Sequence, residues 1–80
     1  MAILNITLTG LSADYPVELD PRTTDGDVKR IAVEVLRSGG VPGLRMNQLH
    51  DRAFDGYVVD RFRSPQGGDR IYLRPKVPFG

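Results

Sequence analysis

Apolar and polar residues alternate from the first positions of the chain. In AILNITLT, residues 2–9, Leu4, Ile6 and Leu8 fall on one side and Asn5, Thr7 and Thr9 on the other, the period of a strand with one buried face. Gly10 to Tyr15 carries Gly, Ser and Asp and reads as a turn. Val17 and Leu19 then alternate with Glu18 and Asp20 until Pro21 interrupts the run. The two alternating stretches predict an antiparallel hairpin.

The period lengthens after Thr24. Val28, Ile31, Ala32, Val35 and Leu36 recur at helical spacing, with Lys29, Arg30, Glu34 and Arg37 mostly off the stripe. Thr24 is placed to cap the helix, and Asp27, three residues on, completes an approximate capping box. Gly39 and Gly40 end the helix and Pro42 keeps it from resuming. Gly43 to Arg52 follows neither period cleanly, with Leu44, Met46 and Leu49 as its anchors. Asp55-Gly56 between β-formers predicts a second hairpin running into Tyr57-Val58-Val59. Phe62 reads as an isolated inward anchor, and residues 64–68 (SPQGG) as a loop. In the last run Ile71 and Leu73 alternate with Tyr72 and Arg74, and Pro75 removes a ladder donor, so pairing should weaken there.

The predicted order is strand, strand, helix, strand, short strand, strand, with the last strand returning beside the first. That is an α+β fold: a β-grasp, a mixed sheet of four to five strands with one helix packed on one face. One domain spans residues 1–74, and residues 75–80 form an exposed C-terminal tail. Eighty residues suffice for a single modest core. With 40% apolar and 26% charged residues the composition is that of a soluble globular protein. No apolar run is long enough to span a membrane, and the expected compartment is the cytoplasm. The absence of cysteine excludes disulfides, thiolate metal sites and a cysteine nucleophile.

A net charge of +1 does not argue for a nucleic-acid partner. Its distribution is uneven. Residues 61–80 carry Arg61, Arg63, Arg70, Arg74 and Lys76 against Asp69 alone, whereas residues 1–21 carry Asp14, Glu18 and Asp20 and no basic residue. The basic quarter is either a docking surface for an acidic partner or a solvated arginine-rich face.

Several short motifs resemble ubiquitin. They are ITLTG at 6–10, VELDP at 17–21 followed by Thr24 and Asp27-Val28-Lys29, Gly40-Val41-Pro42 after the helix, and Phe54-Asp55-Gly56, which sits like the turn of ubiquitin's third strand. Asp69 to Gly80 aligns without a gap onto ubiquitin's last strand and tail. The resemblance is to the ubiquitin-like β-grasp family, and most to the bacterial ubiquitin-like modifiers found in operons with antiphage roles. It implies a non-enzymatic modifier with no cofactor and no catalytic residue. Gly80 would be activated by an E1-like activating enzyme, passed through an E2-like conjugating enzyme thioester and joined to target proteins, with a metallopeptidase-type enzyme reversing the bond. The tail those partners would read is Arg74, Pro75, Lys76, Val77, Pro78 and Phe79. The resemblance implies a monomer with no membrane or nucleic-acid partner. A sulfur carrier using a C-terminal thiocarboxylate and a non-covalent β-grasp adaptor are the alternatives.

The sequence also departs from that family. Phe79 replaces the first glycine of the usual pair, and Pro75 and Pro78 stiffen the tail. The positions of ubiquitin's apolar receptor patch align with Ala53 and Arg74. Residues 43–51 read as an insertion. An ungapped match of the first strand would bury Ile3 and Asn5, whereas the alternation buries Leu4, Ile6 and Leu8. The alternation is the better guide, because burying Asn5 unpaired costs about 1–3 kcal/mol.

Other chemistry is sparse. His50 beside Asp51 suggests acid–base work only if the fold brings further groups to them. Asp14, Glu18 and Asp20 would hold a cation only if they converged, and otherwise form a solvated face. Gly67-Gly68 near Arg70 lacks the following helix of a phosphate site. Tyr57, Phe62 and Tyr72 are either stacking platforms for bases or packing residues, and near-neutral charge favours packing. Lys29 and Lys76 are the only lysines, so the protein is expected to modify targets singly rather than in lysine-linked chains.

Overall fold

The computed structural model describes residues 2–8, 10–20, 22–40, 49–63, 65 and 68–76. Strands β1 (Ala2–Leu8), β2 (Leu11–Val17), β3 (Tyr57–Arg63) and β4 (Asp69–Pro75) and helix α1 (Asp25–Arg37) make an α+β domain. The sheet is mixed, in the order β2-β1-β4-β3. β1 pairs antiparallel with β2 and parallel with β4, and β3 pairs antiparallel with β4. The last strand therefore lies beside the first, as the sequence predicts.

One face of the sheet builds the core. Leu4, Ile6 and Leu8 of β1 are buried beside Ile71 and Leu73 of β4, facing Val28, Ala32, Val33 and Leu36 of α1. Asn5 points to the opposite face, so the alternation is obeyed. Fully burying a valine or leucine side chain stabilises the fold by about 1.5–3 kcal/mol, which makes this stripe the main attachment of the helix.

The helix forms where the spacing places it. The Thr24 hydroxyl accepts from the Asp27 N–H, and the Asp27 carboxylate accepts from the Thr24 N–H, a complete capping box. Gly39, at φ 77°, takes the left-handed conformation that ends it. Val33 is buried while Ile31 and Val35 are only half-buried. The reason is tertiary: the 49–55 segment lies over the Lys29-Val33-Arg37 side of the helix. Lys29 Nζ donates to the Asp55 carbonyl at 3.2 Å, and Arg37 Nε donates to the Leu49 carbonyl at 2.6 Å.

The structure corrects three expectations. The second strand occupies Leu11–Val17, which includes most of the stretch that reads as a turn, and Glu18 to Asp20 lie beyond it. The register Leu8↔Leu11 leaves two residues for the connection, with Gly10 at φ 81°. Asp55-Gly56 does not close a hairpin. Residues 51–56 form consecutive turns, bonded Ala53 N–H to His50 O, Asp55 N–H to Arg52 O and Tyr57 N–H to Phe54 O, and β3 begins only afterwards. Four strands are thus present among the described residues, and the turn that resembles ubiquitin's precedes a strand instead of following one. The turns seat Phe54 in the core, 1% exposed, with the Tyr57 ring edge-on at 4.8 Å. Finally, Phe62 is not an inward anchor. Val59 pairs with Leu73 and faces the core, so Phe62, three residues on, faces outward and is 55% exposed.

Candidate functional site

The outer face of the sheet can be built from the strand registers. Ile3, Asn5 and Thr7 of β1 stand beside Pro16, Asp14 and Ser12 of β2. On the other side, Arg70 and Tyr72 of β4 lie opposite Ile3 and Asn5, and Phe62, Asp60 and Val58 of β3 lie opposite Arg70, Tyr72 and Arg74. The β4 side chains Arg70, Tyr72 and Arg74 therefore form the middle of this face and lead to the end of the strand.

Each arginine of β4 is held by a carboxylate from another strand. Arg70 reaches over β1 to Asp14, with contacts of 3.2 and 3.3 Å to the two carboxylate oxygens, and its Nε donates to the Tyr72 hydroxyl at 3.1 Å. Asn5 donates its amide to the same Asp14 carboxylate at 2.8 Å. The Asn5 amide is the leading cause that holds the Asp14 carboxyl below the usual carboxylate range; burial opposes it, and the Arg70 hydrogen bond and charge add to the lowering. The Tyr72 hydroxyl and Asp14 in turn stabilise the Arg70 cation and raise its pKa. Arg74 pairs with Asp60. The Phe62 and Tyr72 rings meet edge-on at 5.5 Å, and the Arg70 guanidinium lies 5.7 Å from the Tyr72 ring centre.

The arginines of the basic C-terminal quarter are matched one by one. Arg61 donates to the Thr23 carbonyl at 2.8 Å and to Asp25 at 2.9 Å, and Arg63 lies 3.6 Å from Asp69. With Arg70–Asp14 and Arg74–Asp60, all four arginines of this quarter have an acidic partner. Exposed pairs of this kind contribute about 0–1 kcal/mol each. Their consequence is a face with little free positive charge to attract an acidic partner.

The residues singled out in the tail fall at the far end of β4. Pairing with β1 stops at Leu73, while pairing with β3 continues to Pro75 opposite Tyr57. The ladder thus thins to one side at the proline, as its missing N–H leads one to expect. Arg74, Pro75 and Lys76 are exposed. Val77, Pro78, Phe79 and Gly80 lie outside the described residues.

The remaining candidate chemistry disperses. His50 is exposed and its Nδ1 accepts from the Arg52 N–H at 3.0 Å, while Asp51 pairs with Arg37 at 2.7 Å. Asp20 accepts from the Arg22 N–H, apart from the Asp14 network. No group of three or more potential metal ligands exists among the described residues, and Gly68 leads into a strand instead of a helix. Tyr57 packs on Phe54 in the core, and burial raises its pKa. Phe62 and Val58 are the surface residues that sequence reasoning missed. Their one signal is that they share the i, i+2 parity of Asp60, opposite to core-facing Val59.

A search against protein-family models, the curated proteins and the solved structures finds no match to this chain. No described helix is long and apolar enough to cross a membrane.

Proposed function

We propose that the domain is a ubiquitin-like β-grasp, the class in which a hairpin and a crossover helix are followed by a last strand parallel to the first. Within it, we read the protein as a modifier conjugated through Gly80. The observation that carries this reading is the course of β4, which lies in the middle of the sheet between β1 and β3 and emerges in the exposed run Arg74-Pro75-Lys76. A strand held on both sides is a firm mount for a tail that other proteins handle.

The protein supplies a carboxylate and no catalytic group. With Gly80 exposed as the terminal residue, its carboxylate attacks the α-phosphorus of ATP, releasing pyrophosphate and leaving an acyl adenylate. A cysteine thiolate of the activating enzyme displaces AMP to form a thioester. After transfer to the conjugating enzyme, a target amine attacks the carbonyl, releasing the thiol and forming an amide. Glycine suits this because the absence of a Cβ admits the backbone to a narrow channel. Phe79, Pro78 and Pro75 favour dedicated partners over machinery adapted to a flexible double glycine.

The test incubates wild type, a Gly80 deletion and Phe79→Gly with the cognate activating enzyme and ATP. A reductant-sensitive adduct with wild type and none with the deletion is the expected result. No adduct with any variant overturns the reading in favour of a non-covalent adaptor. An intact mass from cells in which one oxygen is replaced by sulfur identifies a sulfur carrier instead.

A further inference from the structure

The two edges of the sheet differ. The β2 edge carries Pro16, which lacks the N–H needed to extend a ladder and so protects against pairing. The β3 edge carries seven residues, YVVDRFR, with no proline, and no other strand pairs with its outer side among the described residues. Two of the three exposed large apolar side chains of the described residues, Val58 at 36% and Phe62 at 55%, lie on this strand and on the same face. A long edge without proline and bearing apolar side chains is a template for another strand.

We propose that β3 pairs antiparallel with β3 of a second copy of this chain, joining two four-stranded sheets into one across a two-fold axis at Asp60. The inference does not rest on the function proposed above. The sequence of the strand selects both the partner and the register. With Asp60 opposite Asp60 of the second copy, Val58 faces Phe62 of that copy, and the contact is repeated by symmetry. This is an aromatic–β-branched cross-strand pair, among the favourable ones. Tyr57 then faces Arg63, and Val59 faces Arg61. A shift of one residue in each chain toward the C-terminus sets Phe62 against Asp60 and loses the Val58 contact, and the opposite shift leaves Phe62 facing a position before the strand. The charges on the edge do not oppose the pairing. Asp60, Arg61 and Arg63 are each engaged within their own chain, by Arg74, Asp25 and Asp69, so the two aspartates at the axis arrive with their guanidinium partners. An isologous contact of this sort closes on itself and yields a dimer, not a filament.

The test uses the full chain. Light scattering after size exclusion, over a concentration series reaching the millimolar range, should show wild type passing from one chain mass to two. Phe62→Glu, at an exposed position, should remain at one chain mass with an unchanged far-ultraviolet circular dichroism spectrum. The register is tested by cysteine, of which the chain has none. Asp60→Cys should form a disulfide dimer under mild oxidation, because directly opposed residues lie about 4.5–5.5 Å apart between Cα atoms. Val58→Cys should not, because its counterpart in the second copy is displaced by four residues, roughly 13 Å along the strand. A wild type that stays monomeric at every concentration overturns the proposal, as does a dimer that persists unchanged in Phe62→Glu or is trapped by Val58→Cys and not by Asp60→Cys.

Discussion

Asp14 and Asp27 show how single side chains tie this fold to pH. Asp14 accepts from the Asn5 amide and faces Arg70, while the Asp27 carboxylate accepts from the Thr24 N–H and pairs with Arg30. These contacts favour the carboxylate, with Asn5 the leading cause for Asp14 and the Thr24 backbone bond for Asp27, so both carboxyls titrate below their ordinary 3.8 when folded. In the unfolded chain the partners disperse. The unfolded state therefore takes up protons first as the solution is acidified, and the stabilisation, fully present well above 3.8, is lost as pH falls through the depressed folded values. The urea midpoint should hold steady toward neutral pH and fall in acid, with a shallower acid limb in an Asp14→Asn, Asp27→Asn double variant. Acid limbs of equal steepness would assign the acid sensitivity to other carboxylates. Asn5 itself was legible from alternation: with Leu4, Ile6 and Leu8 buried it had to face outward, and there it meets Asp14.

The elements differ in how much of them local sequence specifies. Helix α1 was readable at both ends because its cap and its terminating glycine are local devices: Thr24 and Asp27 bond each other, and Gly39 takes a conformation costly for any other residue. β2 was not, because Gly10, Ser12, Asp14 and Pro16 look like turn residues. Yet Leu11, Ala13, Tyr15 and Val17 share the inward parity, and Pro16 is tolerated because the strand is an edge. The turn is confined to the residues around Gly10, whose φ of 81° belongs to the left-handed region and around whose missing Cβ there is nothing within 4 Å. Space is thus not the constraint; backbone conformation is. Gly10→Ala should cost about 1–2 kcal/mol in the unfolding free energy, and Gly10→Asn less, since asparagine visits that region more readily. Equal losses for the two variants would point to a contact of the turn instead of its backbone.

At the scale of the molecule, the 49–55 segment and the helix together decide which amines the protein offers. Lys29 is half-buried with Nζ donating to the Asp55 carbonyl, whereas Lys76 is exposed beyond β4. With a limiting amine-reactive acetyl ester, peptide mapping should find Lys76 acylated well before Lys29, and the difference should vanish in denaturant. Equal native reactivity would remove Lys29 from the structural part of the case for single modification. The same scale explains what the sequence determined alone. Alternation, helical periodicity, the capping box and the terminating glycine specified β1, α1, β4 and most of the core, because these signals depend on a residue's own neighbours along the chain. Tertiary structure decided the rest. The register Val59↔Leu73 turned Phe62 outward, the overlying 49–55 segment buried Val33, and aspartates from other strands and the start of the helix paired the arginines of a basic quarter that the sequence left open between a docking surface and a solvated face. Each of these depends on which strand or segment comes to lie beside another, and no local period in the chain carries that choice.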